Sequence, residues 1–165
     1  MSKPAPFSHL DDQGQVRMVD VSAKPVTRRV AEASCRVLLA SGTVARLAEL
    51  PKGDAYAVAR LAGIQAAKRT DELIPLAHPL LLEQVEVTVA PLPPEADGSP
   101  GVEIRSRVVV TGRTGAEMEA LVACAAASLA LYDMVKAVDR AAVVTDLRLE
   151  HKSGGRSGDY RREEA

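Results

Sequence analysis

The stretch Thr114–Arg140, TGAEMEALVACAAASLALYDMVKAVDR, decides the fold class of this chain. It is rich in Ala and Leu and contains no Pro, and no Gly after Gly115, so it predicts one long helix. Thr114 and Glu117 have the spacing of a capping box, which places the predicted N-cap at Thr114. The apolar stripe predicted to face the core consists of Met118, Leu121, Val122, Ala125, Leu129 and Tyr132.

Two charged residues lie on or beside that predicted stripe. Lys136 follows Met118 by about five turns at ~3.6 residues per turn and so projects in the same direction, and Asp133 projects about 60° to one side. One interpretation is an ordinary ion pair at the C-terminal end of a helix. The other is a partly desolvated pair that transfers protons. Burial lowers the pKa of a lysine and a nearby carboxylate raises it, so the sequence leaves the direction open.

The composition indicates one soluble domain with an aliphatic core. Of 165 residues, 47% are hydrophobic but only 2% are aromatic, and the net charge is -1. This balance favours neither a nucleic-acid nor a membrane partner, and no segment approaches the ~20 apolar residues of a membrane span or resembles a signal peptide. Cys35 and Cys124 have apolar neighbours, as reduced thiols in a cytosolic protein do. We expect an intracellular protein without a metal site.

Hydrophobic alternation and helix-breaking residues predict the remaining elements. They are a short strand at Val16–Val21, a strand at Arg28–Leu39, a short helix over 41–50, a helix from Asp54 to about Glu72, a hairpin of Glu83–Pro91 and Val102–Thr111, and a strand at Ala142–His151. From Arg28 onward, with the short helix set aside, this order predicts an α+β fold of the ferredoxin-like βαββαβ type, a four-stranded antiparallel sheet with two helices on one face.

The domain prediction is a single domain over residues 15–160, with a flexible N-terminal segment (1–14) and a C-terminal tail (161–165). In the helix that begins at Asp54, the predicted core stripe is Ala57, Leu61, Ile64 and then Lys68. Gly63 in the same helix predicts close packing against another backbone.

Three further features are candidates for a site, and each has a plain structural alternative. His78 lies between Pro75 and Pro79, which fix its direction, but a lone histidine beside apolar residues is often structural. The segment Lys152–Asp159, KSGGRSGD, is either a flexible tail or a cradle of backbone N–H groups for an anion. Glu117 and Glu119 suit the first turn of a helix. Cations near element ends would suit a small polyanionic ligand: Lys52, Lys68, Lys136, Lys152 and Arg156.

Several blocks of the sequence carry a family resemblance. MVDVSAKPVTRR, ARLAGIQAAKRTDELIPLAHPL, TGRTGAEMEAL, LYDMVKAVDR and KSGGRSGDY resemble the signature blocks of the cyclic pyranopterin monophosphate synthase family, over roughly Met18 to Tyr160. The resemblance implies a cytoplasmic lyase of molybdenum cofactor biosynthesis that needs no cofactor. Its small-molecule substrate would be (8S)-3',8-cyclo-7,8-dihydroguanosine 5'-triphosphate, converted to cyclic pyranopterin monophosphate with release of diphosphate. It also implies a homohexamer, a trimer of dimers with active sites at the dimer interface.

The resemblance assigns residues to these roles. The catalytic residues it implies are Asp133, Lys136 and Lys152. The substrate-binding residues it implies are Leu76, Ala77, His78, Met118, Glu119, Glu117, Arg29, Lys52, Lys68 and Arg156. Two positions depart from the family pattern. Ala77 stands where the family usually has Cys, and Arg156 stands where it usually has Lys, which keeps the charge but changes its geometry.

The spacing along the long helix makes one further prediction. Glu119 and Asp133 are fourteen residues apart, roughly 21 Å on an ideal helix, so one small substrate cannot contact both on one helix. A site using both residues would combine two subunits. The alternative to an enzyme is a non-catalytic ferredoxin-like regulatory module that binds a small molecule or nucleotide. Recognition of RNA is disfavoured because stacking aromatic side chains are scarce.

Overall fold

The computed structural model of the chain describes residues 9–11, 13–47, 50, 53–92, 100–156 and 158–163. The helices and strands of this part of the chain, in order, are β1 (Thr27–Leu38), α1 (Ser41–Val44), α2 (Ala55–Ala67), α3 (Thr70–Leu73), β2 (Leu82–Pro91), β3 (Gly101–Gly112), α4 (Glu117–Val135), β4 (Val143–Ser153) and β5 (Tyr160–Arg161).

The five strands form one antiparallel sheet in the order β2-β3-β1-β4-β5. Helices α2 and α4 pack against each other and against this sheet, which confirms the predicted α+β class. The prediction of four strands was incomplete, because β5 pairs with β4 at His151 and Lys152. A strand of two residues is too short to show alternation in the sequence. Cys35 of β1 and Cys124 of α4 are buried free thiols, as predicted.

Small residues dominate the buried faces of both long helices, although α4 also buries Leu131, Met134 and Val135 near its C-terminal end. The buried residues include Ala55, Ala59, Gly63 and Ala67 of α2 and Ala120, Ala123, Cys124, Ala127 and Ser128 of α4. The predicted core stripes were therefore wrong, since Leu61 is 67% exposed and Leu129 is 64% exposed. The reason is close approach: a Cβ added at Gly63 would lie 2.8 Å from the carbonyl oxygen of Ala123. The close packing predicted at Gly63 is confirmed.

The predicted start of α2 is confirmed and its predicted end is wrong. The carboxylate of Asp54 accepts hydrogen bonds from the backbone N–H groups of Tyr56 (2.9 Å) and Ala57 (3.1 Å), as an N-cap residue does. The helix ends at Ala67, and α3 follows as a separate turn. The carboxylate of Asp54 thus fixes the residue at which α2 begins.

Helix α4 begins later than the sequence predicts. Its N-cap is Ala116, which has no side-chain cap, so the predicted capping box at Thr114 is wrong. The carboxylate of Glu117 instead occupies the space that a Cβ at Gly115 would fill. By length and hydropathy α4 would suffice to cross a membrane, but 56% of its apolar window is buried inside the fold, which is the pattern of a core helix.

The segment before β1 is not the strand predicted at Val16–Val21. Within the described part of this segment, the pairing recorded is an isolated bridge between Leu10 and Val16. Residues 16–26, called the strap below, consist instead of turns and irregular backbone apart from the bridge at Val16. The strap is attached by two side chains of the domain: His78 bonds to the carbonyl of Val19, and Arg113 bonds to the carbonyl of Lys24.

Candidate functional site

A cavity of about 440 Å³ lies between the strap, the loop before β2 and the start of α4. Six of the residues predicted to bind substrate line it: Leu76, Ala77, His78, Glu117, Met118 and Glu119. Two segments forty residues apart in sequence are thus brought to one cavity. The strap completes it with Val19, Val21 and Lys24, which the sequence prediction had not included among the site residues.

His78 is held in one orientation by the strap. Its Nε2 lies 2.9 Å from the carbonyl oxygen of Val19, and a carbonyl oxygen only accepts hydrogen bonds, so Nε2 carries the proton. In this tautomer of the neutral imidazole, Nδ1 is left as a hydrogen-bond acceptor. A backbone hydrogen bond of 3.0 Å from the N–H of Ala77 to the carbonyl of Ile74 shapes the loop that carries it.

Glu119 is the buried acid of the cavity. Only 3% of its surface is exposed, and its Oε2 has no hydrogen-bond partner among the described residues. Burial raises the pKa of Glu119 to about 7, and the nearby carboxylates of Glu117 and Asp71 add to the rise. At neutral pH this carboxyl group is therefore divided between its two protonation states, so it can serve either as a proton donor or as an acceptor.

The predicted catalytic Lys152 reaches the edge of this cavity through Glu117. Its Nζ lies 3.2 Å from Oε1 of Glu117. The side chain of Lys152 is 25% exposed and that of Glu117 is 31% exposed. Lys152 is on β4, paired in register with Ala31 of the central strand, so its position is fixed by the sheet. Because Gly115 leaves room for the carboxylate of Glu117, the start of α4 can approach the end of β4.

Arg29 lies beside the glycine pair that follows β4. It is buried, and its guanidinium donates to the carbonyl oxygens of Gly112 (3.1 Å) and Arg113 (3.2 Å). A Cβ at Gly155, which has a φ of +81°, would overlap this guanidinium. The N–H of Gly154 donates to a carboxylate oxygen of Asp159 at 3.2 Å. The proposed anion cradle is thus already occupied, at Gly154, by a carboxylate of the chain itself.

Asp133 and Lys136 form a pair at the opposite end of α4. Nζ of Lys136 lies 2.5 Å from Oδ1 of Asp133, and the side chains are 52% and 58% exposed. The expectation that they face the core was wrong, because the buried face at this end of α4 is formed by Leu131, Met134 and Val135. The hydrogen bond to Asp133 raises the pKa of Lys136, so the lysine stays protonated, as a general acid or a phosphate ligand would.

The structure does not bring every predicted residue to this cavity. Lys68 lines a separate groove of about 470 Å³ beside β2, and Arg156 is exposed after the glycine pair. Lys52 lies outside the described residues. Asp133 and Lys136 are on the same helix as Glu119 but at its other end. Among the described residues, no group of three His, Cys, Asp or Glu side chains could hold a metal ion.

The chain is thus an α+β domain whose cavity is lined, among the described residues, by two glutamates, two histidines and one lysine. The chain belongs to the MoaC family, whose model matches residues 18–155. It is 54% identical over 161 residues to cyclic pyranopterin monophosphate synthase 3 of Mycobacterium tuberculosis, covering 96% of this chain and 88% of the relative. It is 55% identical over 158 residues to the cyclic pyranopterin monophosphate synthase of Streptomyces griseus, covering 94% and 86%. The Nocardioides synthase is 54% identical, covering 96% of this chain and 97% of the relative.

Proposed function

We propose that this protein is a lyase of molybdenum cofactor biosynthesis that converts (8S)-3',8-cyclo-7,8-dihydroguanosine 5'-triphosphate to cyclic pyranopterin monophosphate and diphosphate. The relatives that match nearly the whole chain are named as synthases of this product. The observation that carries the proposal is the cavity itself. It joins the 76–78 loop to the start of α4 and places the Glu117–Lys152 pair at its edge.

The reaction requires proton transfers on the rings and neutralisation of a triphosphate. We assign the proton transfers to Lys136 and Lys152, with Asp133 holding Lys136 in its protonated form at 2.5 Å. Glu119 is suited to hydrogen-bond the ring system, since its buried carboxyl group has a pKa of about 7. His78 presents Nδ1 as a fixed acceptor.

The phosphates require cations, which we assign to Arg29, Lys68, Arg156 and Lys52. Two backbone carbonyls already orient Arg29, so binding an anion would cost little additional side-chain entropy. Ala77 lines the cavity as a small apolar side chain, so no thiol takes part at that position. Arg156 supplies the charge that a lysine would, with a planar donor group.

We further propose that each active site combines two subunits of a homohexamer built as a trimer of dimers. Glu119 and Asp133 lie near opposite ends of one straight helix, roughly 21 Å apart at ~1.5 Å per residue, which supports a composite site. The outer face of the helix layer also supports assembly, because it exposes Leu61 and Leu129 beside Val58. A second copy on this face would cover them and bring its own residues to the exposed Asp133–Lys136 pair.

The chain topology is consistent with a ferredoxin-like plan, which we propose for the part that excludes α1, α3 and β5. The order β2-β3-β1-β4 is antiparallel throughout, and the helices α2 and α4 each connect two of these strands. We propose residues 15–160 as the catalytic domain, and the cytoplasm as its location.

The experiment is incubation of the purified protein with the cyclised GTP substrate, followed by oxidation and detection of the fluorescent pterin derived from the product. Release of diphosphate is measured in the same samples. Formation of both in equal amounts is expected. Tight binding of the substrate with neither product would instead support a regulatory binding module and would contradict the proposed function.

A further inference from the structure

Lys24 is the cation that the strap brings into the cavity. The strap contributes Val19, Val21 and Lys24 to the cavity lining, which also includes Glu117 and Glu119 at the start of α4. Among the described residues that line the cavity, Lys24 is the one lysine or arginine. Its position in the sequence, far from α4, gives no sign of this placement.

The backbone around Lys24 is fixed by three hydrogen bonds. The N–H of Lys24 donates to the carbonyl of Val21 at 3.0 Å, which closes a turn. Nε of Arg113 donates to the carbonyl of Lys24 at 3.2 Å, and His78 bonds to the carbonyl of Val19 at 2.9 Å. The strap is thus attached on both sides of the turn, so the side chain of Lys24 starts from a defined point beside the cavity.

The charges of the cavity explain what Lys24 would do there. Glu117 and Glu119 both line it, and Lys152, the nearby cation, is engaged by Glu117. In the described part of the chain no carboxylate lies within 4 Å of the ammonium group of Lys24. A polyanionic substrate that enters between two carboxyl groups meets repulsion unless a cation is positioned to receive its charge.

We propose that Lys24 binds a phosphate group of the substrate and thereby orients the triphosphate relative to the acids of the cavity. This rests on the proposed function, because it takes the triphosphate as the ligand. A lysine ammonium suits this role as a compact point charge. Lys24 is a binding and positioning residue in this account, and it takes part in no proton transfer.

The test compares Lys24→Met, which keeps the length and removes the charge, with Lys24→Arg, which keeps the charge. Arg17→Met is the matched control, since Arg17 is an exposed cation on the same strap that does not line the cavity. KM and kcat are measured for the cyclised GTP, and the affinity for inorganic diphosphate is measured by calorimetry. Guanosine, which has no phosphate, is the second binding probe.

The expected result is a rise in KM of about tenfold for Lys24→Met, with kcat changed much less, because a charge-assisted hydrogen bond to phosphate is lost. Diphosphate affinity falls by a similar factor, guanosine binding is unchanged, and Lys24→Arg recovers most of both losses. Arg17→Met behaves as wild type. The proposal is overturned if Lys24→Met leaves KM and diphosphate affinity within twofold of wild type, or if Lys24→Arg is as impaired as Lys24→Met. Absence of turnover by the wild-type protein would refute the proposed function, and diphosphate binding would still decide the role of Lys24.

Discussion

The substitution Glu119→Gln should remove a large part of the pH dependence of stability. The pKa of Glu119 is raised by burial from an ordinary 4.5 to about 7. Between these two values the native state holds a proton that the unfolded chain releases, so the native state is favoured at low pH and loses stability as pH rises. A difference of about 2.5 pKa units, at about 1.36 kcal/mol each, corresponds to about 3 kcal/mol lost between pH 4.5 and pH 7.

A glutamine has nearly the same shape as the carboxyl group and does not titrate. The amide changes the free energy of unfolding by an amount that does not depend on pH. The informative quantity is therefore how the free energy of unfolding changes with pH, and not its absolute value. The difference in stability between Glu119→Gln and wild type should shift by about 3 kcal/mol in favour of the variant as pH rises from 4.5 to 8.

The assay is urea unfolding followed by circular dichroism at a series of pH values, with protein concentration held constant, since assembly would otherwise change the apparent stability. Glu86→Gln, an exposed carboxylate on β2, is the control and should leave the shape of the profile unchanged. Parallel profiles for Glu119→Gln and wild type from pH 4.5 to 8 would refute the argument that burial holds the proton on Glu119.

Three other substitutions test the packing and the site. Gly63→Ala should destabilise the protein by about 1–3 kcal/mol in thermal or urea unfolding, because its Cβ would lie 2.8 Å from the backbone oxygen of Ala123. Gly155→Ala should cost about 1–2 kcal/mol for its left-handed φ of +81° and should lower turnover by displacing the guanidinium of Arg29. Lys136→Ala should abolish most turnover and alter the pH–rate profile, while leaving the stability of the fold nearly unchanged, since the side chain is 52% exposed.

Each of these predictions has a control variant or a result that would contradict it. Gln65→Ala, in the same helix as Gly63, should be neutral or stabilising because alanine favours helices. A Gly63→Ala protein as stable as wild type would mean that α2 shifts freely away from α4. If Gly155→Ala left turnover unchanged, the guanidinium of Arg29 would have no role in the active site. A pH–rate profile of Lys136→Ala that matches wild type would remove Lys136 from the proton transfers.

The elements that the sequence predicted well are those set by local chemistry. Alternation identified the hairpin of β2 and β3, and the carboxylate of Asp54 marked the start of α2. The buried faces of α2 and α4 were predicted wrongly because hydropathy favours Leu61 and Leu129, whereas the close approach at Gly63 leaves space only for small residues. Small-residue packing depends on the distance between two helices, which a single sequence does not record.

The candidate site residues come from the family resemblance rather than from their spacing, and their roles stay predictions. The resemblance groups His78 with Glu119, and both side chains line the same cavity. The resemblance covers the MVDVSAK block but assigns no role to Lys24, because the strap is held beside the cavity by hydrogen bonds to His78 and Arg113. Such long-range contacts between backbone and side chain leave no periodic pattern in the sequence.

The composite site is tested most directly by mixing two inactive variants, Glu119→Ala and Asp133→Ala, under conditions in which subunits exchange. If each site takes Glu119 from one subunit and Asp133 from its partner, half of the dimers in an equal mixture are mixed, and each of these contains one intact site. The account predicts recovery of about a quarter of wild-type turnover, by the symmetry of a two-fold interface. Turnover that stays at the level of the separate variants, with subunit exchange verified, would contradict it.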